Sequence, residues 1–274
     1  TKRFTGTTGA VCVGLLWAAS AGSVRAADVQ VTIENPQSSG QFFLTPFWIA
    51  AHNGQFDSYD GGSLAPAFLT PLAELGDTGP ISTAFTNSPA GGGAQATVTA
   101  VAGMGDAPVF SPGESTQFTL NVNDPAQNQY FSYASMVVPS NDLFVANGNP
   151  TAHQIFDANG DFTGPVTIEI FGNAVNDNGT EVNDANGDAA FSVNGGMRMA
   201  ESNVIRNLFT QAGDADYLAS FIGSGTASGD TITSAFGASD LVARIIITPE
   251  PASAALLGLG GLVALRRRRN VTRA

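Results

Sequence analysis

The sequence predicts an all-β fold: an antiparallel β-sandwich of the C2 or immunoglobulin-like kind, carrying one or two short helices. Three observations lead there. Short segments alternate apolar and polar residues with period two, turn-forming clusters recur between them, and glycine (32) and proline (14) are abundant in a chain of 274 residues.

Along the chain, Val29, Val31 and Ile33 alternate with Gln30, Thr32 and Glu34, the pattern of a half-buried strand. A turn cluster at 36–40 follows, and then Phe42, Phe43, Phe47 and Trp48, which read as core. Thr70-Pro71 predicts the cap and start of a short helix through Leu75. Turn clusters at 88–93 and 111–113 precede a second alternating strand marked by Phe118, Leu120 and Val122. Tyr130 to Val138 reads as a longer, more buried strand, Val166, Ile168 and Ile170 as another alternating one, and Leu241 to Ile247 as another buried one. Ser202 is predicted to cap a second helix that buries Val204, Ile205, Leu208 and Phe209 on one face.

The ends are of another kind. Lys2-Arg3, an apolar stretch from Ala10 to Ala19 and then Val24-Arg25-Ala26 have the order of a secretory signal, predicting removal of residues 1–26. The only cysteine, Cys12, falls inside that segment, so no disulfide is expected beyond it. At the other end Pro249-Glu250-Pro251 is followed by an apolar run over 252–265 and by Arg266, Arg267, Arg268 and Arg269. As a helix the run spans roughly 21 Å against about 30 Å of hydrocarbon, short for a permanent anchor, and the arginines are expected to stay on the cytoplasmic side. These last residues resemble the PEP-CTERM sorting signal. The resemblance implies recognition and cleavage by an exosortase-type enzyme of Gram-negative bacteria, with transient inner-membrane contact before processing. The chain therefore divides into a signal peptide (1–26), a β-sandwich domain (27–248) and a sorting tail (249–274).

Charge is unevenly spread. The net charge is −12, yet residues 27–248 hold 22 of the 23 acids against three arginines, Arg198, Arg206 and Arg244, and no lysine. Such a surface repels nucleic acid and anionic membrane and attracts divalent cations. Asp-Ala-Asn-Gly-Asp occurs at 157–161 and again at 184–188, but neither copy has the glycine position or the distal glutamate of an EF-hand loop. Asn-Gly between strand-like flanks predicts tight turns at both.

Tyr133-Ala-Ser-Met-Val-Val-Pro-Ser-Asn-Asp142-Leu-Phe is similar to the spondin N-terminal domain, as are Phe43-Leu-Thr-Pro-Phe-Trp48, His52-Asn-Gly54, Asn147-Gly-Asn-Pro150 and Asp177-Asn-Gly-Thr-Glu-Val-Asn183. The resemblance spans roughly 29–247, is strongest around 130–184, and weakens over 190–240. It implies a calcium site formed by Asp142, Asp177 and Glu181, with Asn178 at a position that is no ligand in that family and Glu181 where Asp is also found. From the residues alone, Gly179 permits a sharp turn that brings Asp177 and Glu181 toward one spot, and Asp142 follows a strand. Three ionised carboxylates together need a compensating cation or shifted ionisation, and an all-oxygen set suits Ca²⁺ rather than Zn²⁺. Solvated turn acids are the competing reading.

His52 and His153 lie in no catalytic motif, and no Gly-x-Ser-x-Gly elbow is present. The expected function is an exported, non-enzymatic binding or adhesion module of the cell surface or extracellular matrix. Its expected partner is an extracellular polysaccharide or a surface protein. A secreted hydrolase acting on extracellular polymers and a passive structural surface protein are the alternatives.

Overall fold

Alternation sets the first sheet. Val29, Val31 and Ile33 are buried on one face of their strand while Gln30, Thr32 and Glu34 between them are half-exposed. The computed structural model describes residues 27–101, 108–187, 190, 191, 193 and 196–250. The predicted signal peptide and nearly all of the predicted sorting tail, from Pro251 on, lie outside the described residues. In chain order the elements are β1 (Ala27–Glu34), β2 (Phe43–Leu44), β3 (Phe47–His52), α1 (Thr70–Leu75), α2 (Gly79–Thr86), β4 (Ala94–Val98), β5 (Ser115–Val122), β6 (Tyr130–Val138) and β7 (Leu143–Ala146). They continue with β8 (Val166–Phe171), β9 (Asn176–Asp177), β10 (Arg206–Asn207), α3 (Asp214–Ala219) and β11 (Leu241–Pro249).

Two antiparallel sheets result, as the sequence predicts. The first has the order β5-β1-β11-β8, and the second has the order β10-β9-β7-β6-β3-β4 with β2 paired to β6. Between them lies the main core, including Val31, Ile33, Phe47, Ile49, Phe131, Ile245 and Ile247. A second core covers the outer face of the second sheet, where Trp48, Phe144 and Ile205 pack with Leu72 of α1 and with Ile81 and Phe85 of α2. That double covering explains why β3 and β6 are nearly continuous buried runs rather than alternating ones: both of their faces are out of water. Phe42, Phe43, Phe47 and Trp48 are all buried, as expected.

The helices differ from expectation in three ways. α1 forms where predicted, but Leu69 is its N-cap and no side chain caps it, so Thr70 is the first helical residue rather than the cap. No helix starts at Ser202. That stretch holds only the two-residue β10 and a turn at Leu208 and Phe209, because its apolar residues serve two cores: Ile205 belongs to the outer one and Leu208 to the inner one, Val204 is exposed, and Phe209 only packs at the margin. A single helical face cannot reach both. Instead α2 and α3 form, with Pro80 in the first turn of α2 and Asp214 and Asp216 in the first turn of α3, where acids are favoured. β11 also runs to Pro249, paired with Val29, so the domain extends just past the predicted boundary at 248.

Both Asp-Ala-Asn-Gly-Asp copies make turns. The Asp157 carbonyl accepts the Gly160 amide at 2.9 Å and its carboxylate accepts the amide of Asn159 at 2.8 Å, with Phe156 and Phe162 bridged across the base. At the second copy the Asp184 carboxylate accepts the Asn186 amide at 2.9 Å, and Asp188 lies outside the described residues.

Candidate functional site

Asp142 stands in a turn built to hold it. β6 ends at Val138, a cis Val138–Pro139 peptide follows, and β7 begins at Leu143. The Ser140 hydroxyl donates to the Val137 carbonyl and accepts the Leu143 amide at 3.1 Å, tying the turn to itself. Asn141 is fixed from outside: its amide donates to the Tyr217 hydroxyl of α3 at 3.1 Å, and that hydroxyl donates back to Asn141 Oδ1 at 3.0 Å. Ser140, Asn141 and Asp142 are all buried.

The second half of the site is the loop 177–183. β9 pairs with β7 so that Asp177 lies opposite Leu143, placing Asp177 beside the Asp142 turn. Asp142 Oδ2 accepts the Thr180 amide at 2.8 Å, the Glu181 amide at 3.0 Å and the Thr180 hydroxyl at 3.2 Å. Gly179 makes the bend with φ +69°, and a Cβ there would come within 2.8 Å of the Asn203 backbone. Outside it, residues 199–205 run as a strap. Val182 donates to Met199, Glu201 to Thr180 and Asn203 to Gly179, each at 2.8 Å, and Ile205 donates to Ser63 at 2.8 Å.

The three predicted acids are thus gathered at one end of the sandwich. Asp142 touches the backbone of the loop, and Asp177 and Glu181 are 2% and 5% exposed. Two of them are turned to arginines that the sequence reading left out of the site. Asp177 Oδ2 accepts Arg206 at 2.6 Å and Asn183 Nδ2 at 2.7 Å, and Arg206 also forks onto Asp214 at 2.8 and 2.9 Å. Arg198 lies 3.1 Å from Glu181 and 3.6 Å from Glu74. Among the described residues, no three carboxylate, imidazole or thiol side chains form a metal cage by themselves.

Among the described residues Asp142 has no such partner cation. Burial pushes its carboxyl up to about 7 and the Asp177 charge adds to the push, against the pull of the Glu181 and Thr180 amides and the Thr180 hydroxyl. Its Oδ1 is buried without a hydrogen-bond partner, as are Asn178 Oδ1 and Asn183 Oδ1 of the same site. A buried carboxylate oxygen left this way calls for a proton or a cation. The donor set is all oxygen, which fits a hard cation such as Ca²⁺ and suits neither Zn²⁺ nor copper. Burial also raises the Tyr217 hydroxyl well above its usual range, and the charges of Asp142, Asp177 and Glu181 act in the same direction. Beside them a polar cleft of about 480 Å³ is lined by Asp177, Asn183, Glu201, Arg206, Asp214 and Tyr217.

The histidines sit elsewhere. His52 Nδ1 accepts the Gly54 amide at 3.0 Å, so Nε2 carries the proton and donates to Ser132 Oγ at 2.8 Å, where Asn147 Nδ2 also donates at 3.0 Å. A nucleophilic serine needs the opposite polarity, with the imidazole accepting its proton. His52 is buried and held at about 4 by that burial. His153 is likewise lowered by burial and lies against the Tyr133 ring.

Arg198, Arg206, Asp214 and Tyr217 all follow the segment 142–181 that holds the predicted site residues. One signal marked the first two: they are two of only three arginines among the acids of 27–248. Comparison with known protein families and with curated proteins finds no match for this chain.

Proposed function

We propose that the chain is an exported, non-enzymatic binding or adhesion module of spondin N-terminal type, stabilised by a calcium ion that Asp142, Asp177 and Glu181 help to hold. One observation carries the reading: the buried Asp142 carboxylate has an oxygen with no hydrogen-bond donor, beside a loop whose Asn178 and Asn183 side-chain oxygens also lack one. The ion would supply the positive charge that Asp142 lacks, while Arg206 and Arg198 moderate Asp177 and Glu181. Its structural role is to lock the 139–142 turn to the 177–183 loop, fixing the surface of the adjoining polar cleft. The polysaccharide or surface protein expected as partner would be read by that end of the sandwich. Export by the signal peptide and processing of the Pro249-Glu250-Pro251 tail by an exosortase-type enzyme complete the proposal.

Calorimetry and thermal melts of the purified protein test it. Extracellular calcium modules bind at about 10⁻⁴–10⁻³ M, and a hundredfold excess over Kd stabilises by about 2.7 kcal/mol. For a domain of this size that raises Tm by roughly 5 °C or more. Absence of both binding heat and a calcium-dependent rise in Tm, with the protein folded, rejects the calcium site.

A further inference from the structure

Building on the calcium reading, we propose that the side-chain amide oxygens of Asn178 and Asn183 are two further ligands of the same cation. The sphere would then combine neutral carbonyl donors with the carboxylates. The hydrogen-bond network fixes both amides. Asn178 Nδ2 donates to Thr180 Oγ1 at 2.9 Å, and that hydroxyl spends its own proton on Asp142 Oδ2 at 3.2 Å. Turning the amide over would set its oxygen against a hydroxyl with no proton left to give. Asn183 Nδ2 donates to Asp177 Oδ2 at 2.7 Å, and an ionised carboxylate can only accept. Each amide therefore presents its oxygen away from a settled donor contact.

Both oxygens are buried and neither receives a hydrogen bond; Asn178 as a whole is fully buried. Asp142 Oδ1 shares this condition. Three acceptors without donors, on a bend of seven residues and the turn it grips, are what a hard cation satisfies in one step, since Asn carbonyl oxygens are ordinary Ca²⁺ ligands. Neutral donors also suit a site whose carboxylates already include two that face arginines. The position at 178 is no ligand in the family the sequence resembles, so this chain would add a contact of its own.

Europium luminescence on the purified full-length protein tests the proposal, because lifetimes in H₂O and D₂O count the waters on the bound ion. Asn178→Ala and Asn183→Ala are each expected to admit about one extra water and to weaken calcium binding about tenfold. Asn178→Asp keeps the side chain's size and adds charge at the ligand, so it is expected to tighten calcium about tenfold. That variant decides the matter where an alanine variant does not fold. Unchanged water number and affinity in the alanine variants, or weaker binding in Asn178→Asp, overturn the amide ligands while leaving the calcium site in place. If folded wild-type protein binds neither europium nor calcium, the underlying calcium reading fails first and this proposal falls with it.

Discussion

Arg206 and Arg244 make the same connection in opposite surroundings. Each guanidinium bridges two carboxylates: Arg206 joins Asp177 and Asp214 under the strap, and Arg244 joins Glu34 and Glu169 on the open face of the first sheet. For Arg244 the geometry comes from register alone, since Glu34, Arg244 and Glu169 are directly opposed on β1, β11 and β8. The charges stay in water, with side-chain exposures of 27%, 32% and 44% in that order. Around Arg206 the acids are 3% and 5% exposed, and their desolvation has already been incurred. An exposed pair contributes about 0–1 kcal/mol, whereas removing one partner of a buried pair costs about 3–5 kcal/mol because the other charge is left behind. Identical chemistry therefore fixes the loop end and merely decorates the sheet.

The largest effect should come from breaking the buried bridge. Arg206→Met is expected to lower stability by about 3–5 kcal/mol in urea melts at neutral pH; a change below about 1 kcal/mol would erase the contrast. His52 extends the comparison to a buried group that avoids charge altogether. Its folded value of about 4 lies below the usual 6.5, so between those values the unfolded chain takes up a proton that the native protein refuses. Stability is complete above about pH 6.5 and falls as pH drops toward 4, by up to about 3 kcal/mol from this residue. His52→Gln should remove that part of the pH slope, measured as the difference from wild type between pH 7 and pH 4.5.

Next in size, Asp142→Asn should abolish the calcium-dependent rise of about 2.7 kcal/mol at hundredfold excess. It should leave the metal-free protein at least as stable at pH 8, since a neutral amide replaces a carboxylate that burial disfavours. Scanning calorimetry with and without calcium checks both halves. The smallest effect belongs to the sheet face. Arg244→Gln should cost less than about 1 kcal/mol, shrinking further as salt is raised.

How much of this could be read in advance depends on how local the cause is. Alternation at Val29–Ile33 and Val166–Ile170 needs only the two faces of one sheet, and it was legible. So was the bend at 157–161, because Asp157 and Gly160 close it by themselves. At 202–209 the expected helix does not form, and nothing local says that Ile205 and Leu208 enter different cores. In the site, Gly179 between Asp177 and Glu181 showed that those acids would be near each other. The arginines were invisible to spacing: Arg206 reaches Asp177 across 29 positions and Arg198 reaches Glu74 across 124. Their rarity was the available clue, and a partial one, since the third arginine, Arg244, lies on the open face of the first sheet.

The place of β11 in the first sheet has a consequence for assembly. It lies between β1 and β8, joining Val29 to Pro249, so two of the sheet's three pairings wait for a segment more than two hundred residues from the first strand. A nascent chain ending before Leu241 holds β1 and β8 with no strand between them, and its main core stays open. Closure of this sheet is thus a late, long-range event of the kind that makes β-proteins slow to fold.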